Sequence, residues 1–541
     1  MNEKLIFCLS NADRVHQLLN SPGHPGDEDD LSIYVIEFWI TFATYATDNN
    51  DRIPPESDQF TRNHLKTAII SFWKKCEIPK ADVLSQWDAD TKKAFGEFRA
   101  DVKDLFDTAY SALYLDFLKM SADFILEALN GQHWMKVEIG LFTLSTIADS
   151  LTGTVEEDLI LAPVFNTSLF GEMRRNSQNV PARLHRTAVD AIGSLSSFFE
   201  RNTQYLADAL NFLFTSLTNE TLMHIASRSI FALCSSSRKQ LGQEVDTLLY
   251  HYTQFCSSPG ADSLTKEKVM SAIAAVIQGL SSEEAKIGPL NKMLSLVEND
   301  IHVSLHMDKE AQIQYAEPGF QCLAGMSKAL QAPDDELVEV DADLGATSNG
   351  IWMQGAGTEI QGRIMGCLEI GMSVFGDHGD IVESVFSTLR SGFTETSPGP
   401  FVLEPGYSVS LFERTSLDTP RLEYVLSTVS MLLNTHAGIR TRDIEREARR
   451  ILQHVCNVIK VLIQPANDPE VAQSCVDVLT SLLSRYAYVL ITFQPVYDVE
   501  RMFGFAIQCL RGSDILPKRS ASSFWVSIAD HCPILYIRDD C

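Results

Sequence analysis

NSPGHPGDEDDLSIYVIEFWITFATY, residues 20–45, joins two Pro-Gly steps to an acidic run and then to an apolar stripe. Pro and Gly interrupt helices, and carboxylates ahead of a helix meet the positive end of its dipole. Leu31, Val35, Phe38, Trp39 and Phe42 then recur at helical period. The stretch reads as a turn, a cap made of Asp27, Glu28, Asp29 and Asp30, and an amphipathic helix. Phe38 and Trp39 are large enough to anchor that helix against its neighbours.

The same period continues along the chain. Leu105, Ala109, Ala112, Leu113 and Asp116 place one helix through FRADVKDLFDTAYSALYLDFLKM, and Trp134, Val137, Leu141, Leu144 and Ala148 place another. Further stripes cover 184–199, 205–217, 221–234, 245–255, 269–280, 290–305, 360–375, 381–393, 422–433, 444–463, 471–486, 499–510 and 523–532. SSPGAD, LSSEEAKIGP, QPANDPE and RGSDILPKR separate some of them as helix breakers. No run of alternating strands occurs in the sequence. Helices of about 15–20 residues, paired at intervals of about 40, are the pattern of HEAT-type repeats. Each pair buries its apolar face only by stacking on the next. The expected fold is all-α: one α-solenoid over residues 1–541, a right-handed superhelix forming a curved rod. A helical-bundle enzyme is the competing architecture. Two segments break the rhythm and read as long loops: 332–357, acidic then Gly-rich, and 397–408, Pro/Gly-rich.

Composition narrows the function. Of 541 residues, 45% are hydrophobic and 21% charged, a folded composition. With 71 Asp+Glu against 44 Lys+Arg, the formal charge is -27. That field repels phosphate backbones, disfavours direct nucleic-acid binding, and attracts basic partners. The 11 cysteines include no C-x-x-C pair and match neither a disulfide framework nor a zinc site. The first residues lack a signal-peptide core, and no stretch reaches the roughly 18 consecutive apolar residues of a membrane span. The expected location is the cytoplasm and nucleus, with no membrane partner.

Chemistry is hard to place. GAGTEIQG at 355–362 lacks the third glycine of a dinucleotide loop and has no strand before it. His302 and His306 lie four apart without a third ligand, and His378 sits in a turn. No G-x-S-x-G, P-loop or Cys/His nucleophile pattern occurs. No catalytic residue, metal or cofactor is expected, and the chain reads as a non-enzyme.

The 20–45 block resembles a repeat of importin beta-like karyopherins of the transportin-SR and importin-13 branch, with the same PG turn, acidic cap and Phe-Trp pair. FGEFRADVKDLFDTAY at 95–110 is similar to that family's Phe-x-x-Phe-Arg helix, and NGQHWMKVEIGLFTLSTIADSL at 130–151 to its Trp-x-x-x-Glu helix. FAIQCLRGSDILPKRSASSFWVSIADHC resembles a late repeat. The resemblance implies a nuclear transport receptor that carries protein cargo on a concave surface, passes the pore on Phe-Gly nucleoporins, and exchanges cargo when the GTPase Ran binds. In that family many repeats precede this block, and PILYIRDDC does not resemble a repeat ending, so the sequence reads as a fragment whose Ran contact is uncertain.

Two charged segments are candidate cargo contacts. Arg440, Arg442, Arg446, Arg449 and Arg450 crowd GIRTRDIEREARRILQHV. Guanidinium forks suit phosphate or carboxylate, and the resemblance implies phosphorylated Arg-Ser-rich cargo. The plainer reading is a solvated face paired with Asp443, Glu445 and Glu447. The acidic loop residues Asp334, Asp335, Glu336, Glu339, Asp341 and Asp343 are the alternative contact, for basic cargo. The competing function is a HEAT scaffold, such as a phosphatase or coat-complex subunit, held to a fixed partner.

Overall fold

The computed structural model describes residues 3–48, 55–167, 169–175, 180–258, 260–332, 350–395, 397–435 and 442–536. They are almost wholly helical, with no strand among them. The chain forms an α-solenoid of HEAT-type helix pairs. By its contacts it divides into two compact units, Met1–Gln240 with Ser257–Gly260, and Leu241–Cys256 with Ala261–Cys541.

The first unit holds α1 (Glu3–Leu19), α2 (Ile36–Asp48), α3 (Pro55–Cys76), α4 (Ala81–Gln86), α5 (Ala89–Leu113), α6 (Leu115–Asn130), α7 (Trp134–Thr146), α8 (Val155–Asn166), α9 (Leu169–Arg175), α10 (Ala182–Ser194), α11 (Ser196–Arg201), α12 (Leu206–Ser216) and α13 (Met223–Ser236). Helices α2, α5, α7, α10 and α13 pack side by side in that order, with α6 and α8 behind them.

The opening block answers to this packing. Ser32–Val35 is a tighter 3-10 turn, so the apolar register shifts before α2 begins. Val35, Ile36, Trp39 and Phe42 are buried, whereas Leu31, expected on the stripe, faces solvent. The acidic run is more than a cap. Asp29 is buried and accepts from the Leu31 and Ser32 amides at 3.0 and 3.1 Å and from Lys75 of α3 at 2.5 Å. Asp27 accepts from the Trp87 indole at 3.0 Å. Gly26 has φ 86, and a Cβ there would meet Ala94 at 2.8 Å, so only glycine lets this turn approach α5.

The other motif blocks meet the first. Arg99 of α5 donates to Glu138 of α7 at 2.8 and 3.1 Å and to the Cys76 carbonyl at 2.5 Å. Thr187 of α10 donates to the same Glu138 at 2.7 Å. Glu157 of α8 accepts from the Tyr110 hydroxyl at 2.7 Å and from the Gly153 amide at 2.7 Å, within a Thr154 capping box. Polar side chains thus connect successive repeats where apolar area alone would allow sliding.

The second unit holds α14 (Val245–Cys256), α15 (Ser263–Gln278), α16 (Glu283–Ser304), α17 (Lys309–Ala329), α18 (Gly350–Met353), α19 (Ala356–Val374), α20 (Gly379–Phe393), α21 (Pro405–Phe412), α22 (Leu422–Thr435), α23 (Arg442–Leu462), α24 (Pro469–Ile491), α25 (Val496–Arg511) and α26 (Ile515–Tyr536). Two rows run through it. Helices α15, α17, α20, α22, α24 and α26 form one, and α14, α16, α19, α21, α23 and α25 follow in the other. Each helix of the first row also packs on its sequence partner in the second. This is the two-layer stacking that lets amphipathic pairs bury a continuous core.

Several boundaries differ from the sequence reading. The expected helix through 98–120 breaks at Tyr114, whose φ is 51, and a new helix starts one residue later. EEAKIGP, expected to break a helix, opens α16: Ser282 caps it through the Ala285 amide, and Pro289 sits inside. ILPKR opens α26 in the same way, because proline is tolerated in a first turn. Of the two expected loops, residues 350–353 and 356–357 are helical, as are 405–408, and 333–349 lie outside the described residues. Pro469–Ile491 is the one helix among the described residues long and apolar enough to cross a membrane; here it packs between α22 and α26.

Candidate functional site

The arginine stripe begins α23, but its neighbours pull its side chains apart. Arg450 is committed to the fold: it donates to Glu413 at 3.0 and 2.5 Å and to Glu447 at 2.5 Å, tying the end of α21 to α23. The hydrogen bonds it donates to Glu413 raise its already high pKa. Arg449 donates to Thr492 at 2.8 Å and lies 5.9 Å from the Tyr488 ring centroid. Arg446 is 76% exposed, with Glu447 at 3.3 Å. The local pairing with Glu447 considered in the sequence is therefore present. Arg440 and the acidic-loop residues Asp334, Asp335, Glu336, Glu339, Asp341 and Asp343 lie outside the described residues, as does the side chain of Arg442.

A groove that the sequence reading missed opens between α23 and α25. It measures about 410 Å3, and its lining combines Ile459, Ile463, Gly504 and Phe505 with the polar Lys460, Arg501 and Gln508. Ile463 terminates α23 at φ 63, a conformation that costs a β-branched residue roughly 1–2 kcal/mol. It is nonetheless 67% exposed, and Val461 two residues before it and Val496 and Tyr497 at the start of α25 are also exposed. Lys460 is paired with Asp498 at 2.8 Å, and Arg501 lies over Tyr497 at 4.7 Å. Opposite, a Cβ at Gly504 would meet nothing within 4 Å. The groove can hold an aromatic or aliphatic side chain. Its one sequence signal was a glycine within a helical stripe, and nothing in a single chain says that 463 and 504 flank one opening.

The remaining sequence candidates are structural. Gly355 takes φ 82 and Gly357 lies against the Ile351 carbonyl, so these glycines make the tight junction between α18 and α19. His302 Nδ1 is 2.7 Å from the Glu298 carbonyl, and His378 precedes α20 with Asp377 at 3.3 Å. No group of three His, Cys, Asp or Glu side chains among the described residues is arranged to hold a metal ion.

Comparison with known proteins agrees with this architecture. Residues 174–250 match the transportin-3/importin-13 third TPR domain. The importin beta-like protein kap111 of Schizosaccharomyces pombe is 22% identical over 533 residues, covering 97% of this chain and 52% of that protein. The chain thus spans about half the length of this relative. Two crystal structures of importin beta, from ammonium sulfate and polyethylene glycol conditions, superpose with TM-scores of 0.51 and 0.55 at 12% identity. They cover 95% and 96% of this chain, and 64% and 67% of importin beta, and they speak for the fold. Motif blocks, domain match and relative point the same way: the chain is similar to importin beta-like karyopherins of the transportin/importin-13 type.

Proposed function

We propose that the chain serves as part of a nuclear transport receptor that carries protein cargo through the nuclear pore and shuttles between cytoplasm and nucleus. The observation that carries this reading is the alignment with an importin beta-like protein along 97% of the chain. The groove between α23 and α25 supports it, because the apolar side chains of Ile459, Ile463 and Phe505 in its lining suit the phenylalanine of a Phe-Gly repeat.

Retention on immobilised Phe-Gly nucleoporin repeats tests the reading. Gly504→Leu fills the groove and removes a helical glycine, which should stabilise α25 by up to about 1 kcal/mol. The wild-type chain is retained and Gly504→Leu is not. A wild-type chain that flows through, or that copurifies with one fixed partner indifferent to Ran-GTP, overturns the proposal in favour of a scaffold.

Cargo contacts belong to the same proposal. The arginine stripe would meet acidic or phosphorylated cargo through Arg446, with Arg449 and Arg450 behind it. Reversing the charge of all three should weaken capture of phosphorylated Arg-Ser-rich cargo, and unchanged capture removes the site. The acidic loop with Asp334, Asp335, Glu336, Glu339, Asp341 and Asp343 would meet basic cargo; its deletion should lower both affinity and salt dependence. Ran-GTP-driven release of cargo is tested in the same capture assay.

A further inference from the structure

Helices α15, α17 and α20, consecutive in one row of the second unit, leave a cleft of about 420 Å3. Small residues make room for it: Ala324 and Gly325 on α17, and Ser384 and Ser387 on α20. Glu267 of α15 leans over Gly325, where a Cβ would meet its Oε1 at 2.5 Å. Asp380 and Glu383 line the cleft from α20, and Lys328 contributes a cation from α17. Arg421 already holds Glu383 at 3.5 Å. Glu267 accepts a hydrogen bond from Ser271 at 3.0 Å. Neither Glu267 nor Asp380 has an ion-pair partner among the described residues.

A separate observation points to a missing partner. Ser387 is 5% exposed and lines the cleft, yet its hydroxyl has no hydrogen-bond partner. A buried polar group left without a partner is destabilising. Ser384 donates to the Asp380 carbonyl at 2.7 Å, which leaves its oxygen lone pairs open. The cleft therefore offers carboxylates and hydroxyl oxygens as acceptors on two walls.

We infer that this cleft receives the side chain of an arginine from a partner protein. A guanidinium carries five N–H donors on one plane and no acceptor, so it can reach Glu267, Asp380 and Ser387 together. An ammonium directs its three donors from a single point and spans such a site less well. A guanidinium would also supply the partner that Ser387 lacks. The inference stands apart from the transport reading, since a scaffold with this cleft would show the same preference.

The whole chain is titrated with a fluorescent peptide of alternating glycine and arginine, and with its lysine and citrulline counterparts, at physiological ionic strength. The arginine peptide binds several-fold more tightly than the lysine peptide, and the citrulline peptide binds least. Glu267→Gln with Asp380→Asn lowers affinity about tenfold or more. Asp418→Asn with Glu445→Gln, an equal charge change away from the cleft, has a smaller effect. Equal losses in the two double variants, or equal binding of arginine and lysine peptides, mean that the overall acidic field does the binding and overturn the inference. Ser387→Ala gives a second decision should the double variant fail to fold. It leaves the thermal midpoint unchanged or raised, because it removes an unpaired buried hydroxyl, and weakens the arginine peptide several-fold. Unchanged affinity in Ser387→Ala overturns the site. Retention on Phe-Gly repeats is measured separately and is unaffected by these variants.

Discussion

Arg99 and Glu138, 39 residues apart, form a buried two-pronged ion pair, with Nη2 to Oε1 at 2.8 Å and Nη1 to Oε2 at 3.1 Å. One lies in FGEFR and the other in WMKVE, two of the blocks that carry the family resemblance. The guanidinium also sits 4.3 Å from the Phe142 ring centroid. What looked like two independent helix signatures is one contact between α5 and α7, extended to α10 by Thr187.

Glu138→Ala should strand the Arg99 charge in the core and cost about 3–5 kcal/mol, whereas Arg99→Met with Glu138→Leu should cost far less. Hydrogen exchange of the α5 and α7 amides reads this locally, in a chain whose two units need not unfold together. Equal losses in the single and double variants would refute the buried-charge account.

Asp29 gives the first unit an acid sensitivity. Burial raises its pKa, but hydrogen bonds from Lys75, Ser32 and Leu31 outweigh this and hold it below the ordinary value. A carboxyl with a lowered folded pKa stabilises the fold above its unfolded value of about 3.9, and that contribution is lost as pH falls through the folded value. Asp29→Asn should be less stable at pH 7 and lose less on acidification. Exchange protection of α2 and α3 measured from pH 6 to 3 checks the difference in slope.

Gly392 lies beneath the SPGPF segment, where a Cβ would sit 2.0 Å from the Phe401 carbonyl oxygen. Gly392→Ala should displace that segment and cost about 1–3 kcal/mol, as overpacking does. Faster proteolysis near residue 400 is the expected readout, and an unchanged cleavage pattern would count against the packing described.

Burial pushes the Cys76 and Cys234 thiols up to about 12. Little thiolate exists at pH 8, so iodoacetamide should leave both unmodified in the native chain and label them in denaturant. Peptide mass spectrometry reports each cysteine separately. Rapid native labelling of either would contradict its burial.

The arginines of α23 should separate by mutation. Arg446→Glu, at an exposed position, should change stability by no more than about 0.5 kcal/mol. Arg450→Glu sets a third carboxylate against Glu413 and Glu447 and should cost about 1 kcal/mol or more. Thermal melts of the two variants compare them directly, and equal shifts would place Arg450 outside the network.

The sequence alone determined that the chain is helical, that its helices pair, and which family it resembles. Apolar period and the Pro-Gly, Phe-Arg and Trp-x-x-x-Glu blocks are local signals, complete within a few turns of helix. The position of His378 in the turn between α19 and α20 was legible for the same reason. Tertiary structure decided the rest. Leu31 left the buried stripe because a 3-10 turn changed its register, Pro289 lies in a helix that Ser282 caps, and Pro517 falls in the first turn of α26, where proline is tolerated. The arginine stripe was visible as composition, but its meaning depended on Glu413, Thr492 and Tyr488, which come from other repeats. The Gly504 groove and the Ser387 cleft are gaps between helices about 40 and about 60 residues apart. A gap has no residue of its own in the sequence, and it exists only once its walls have been stacked.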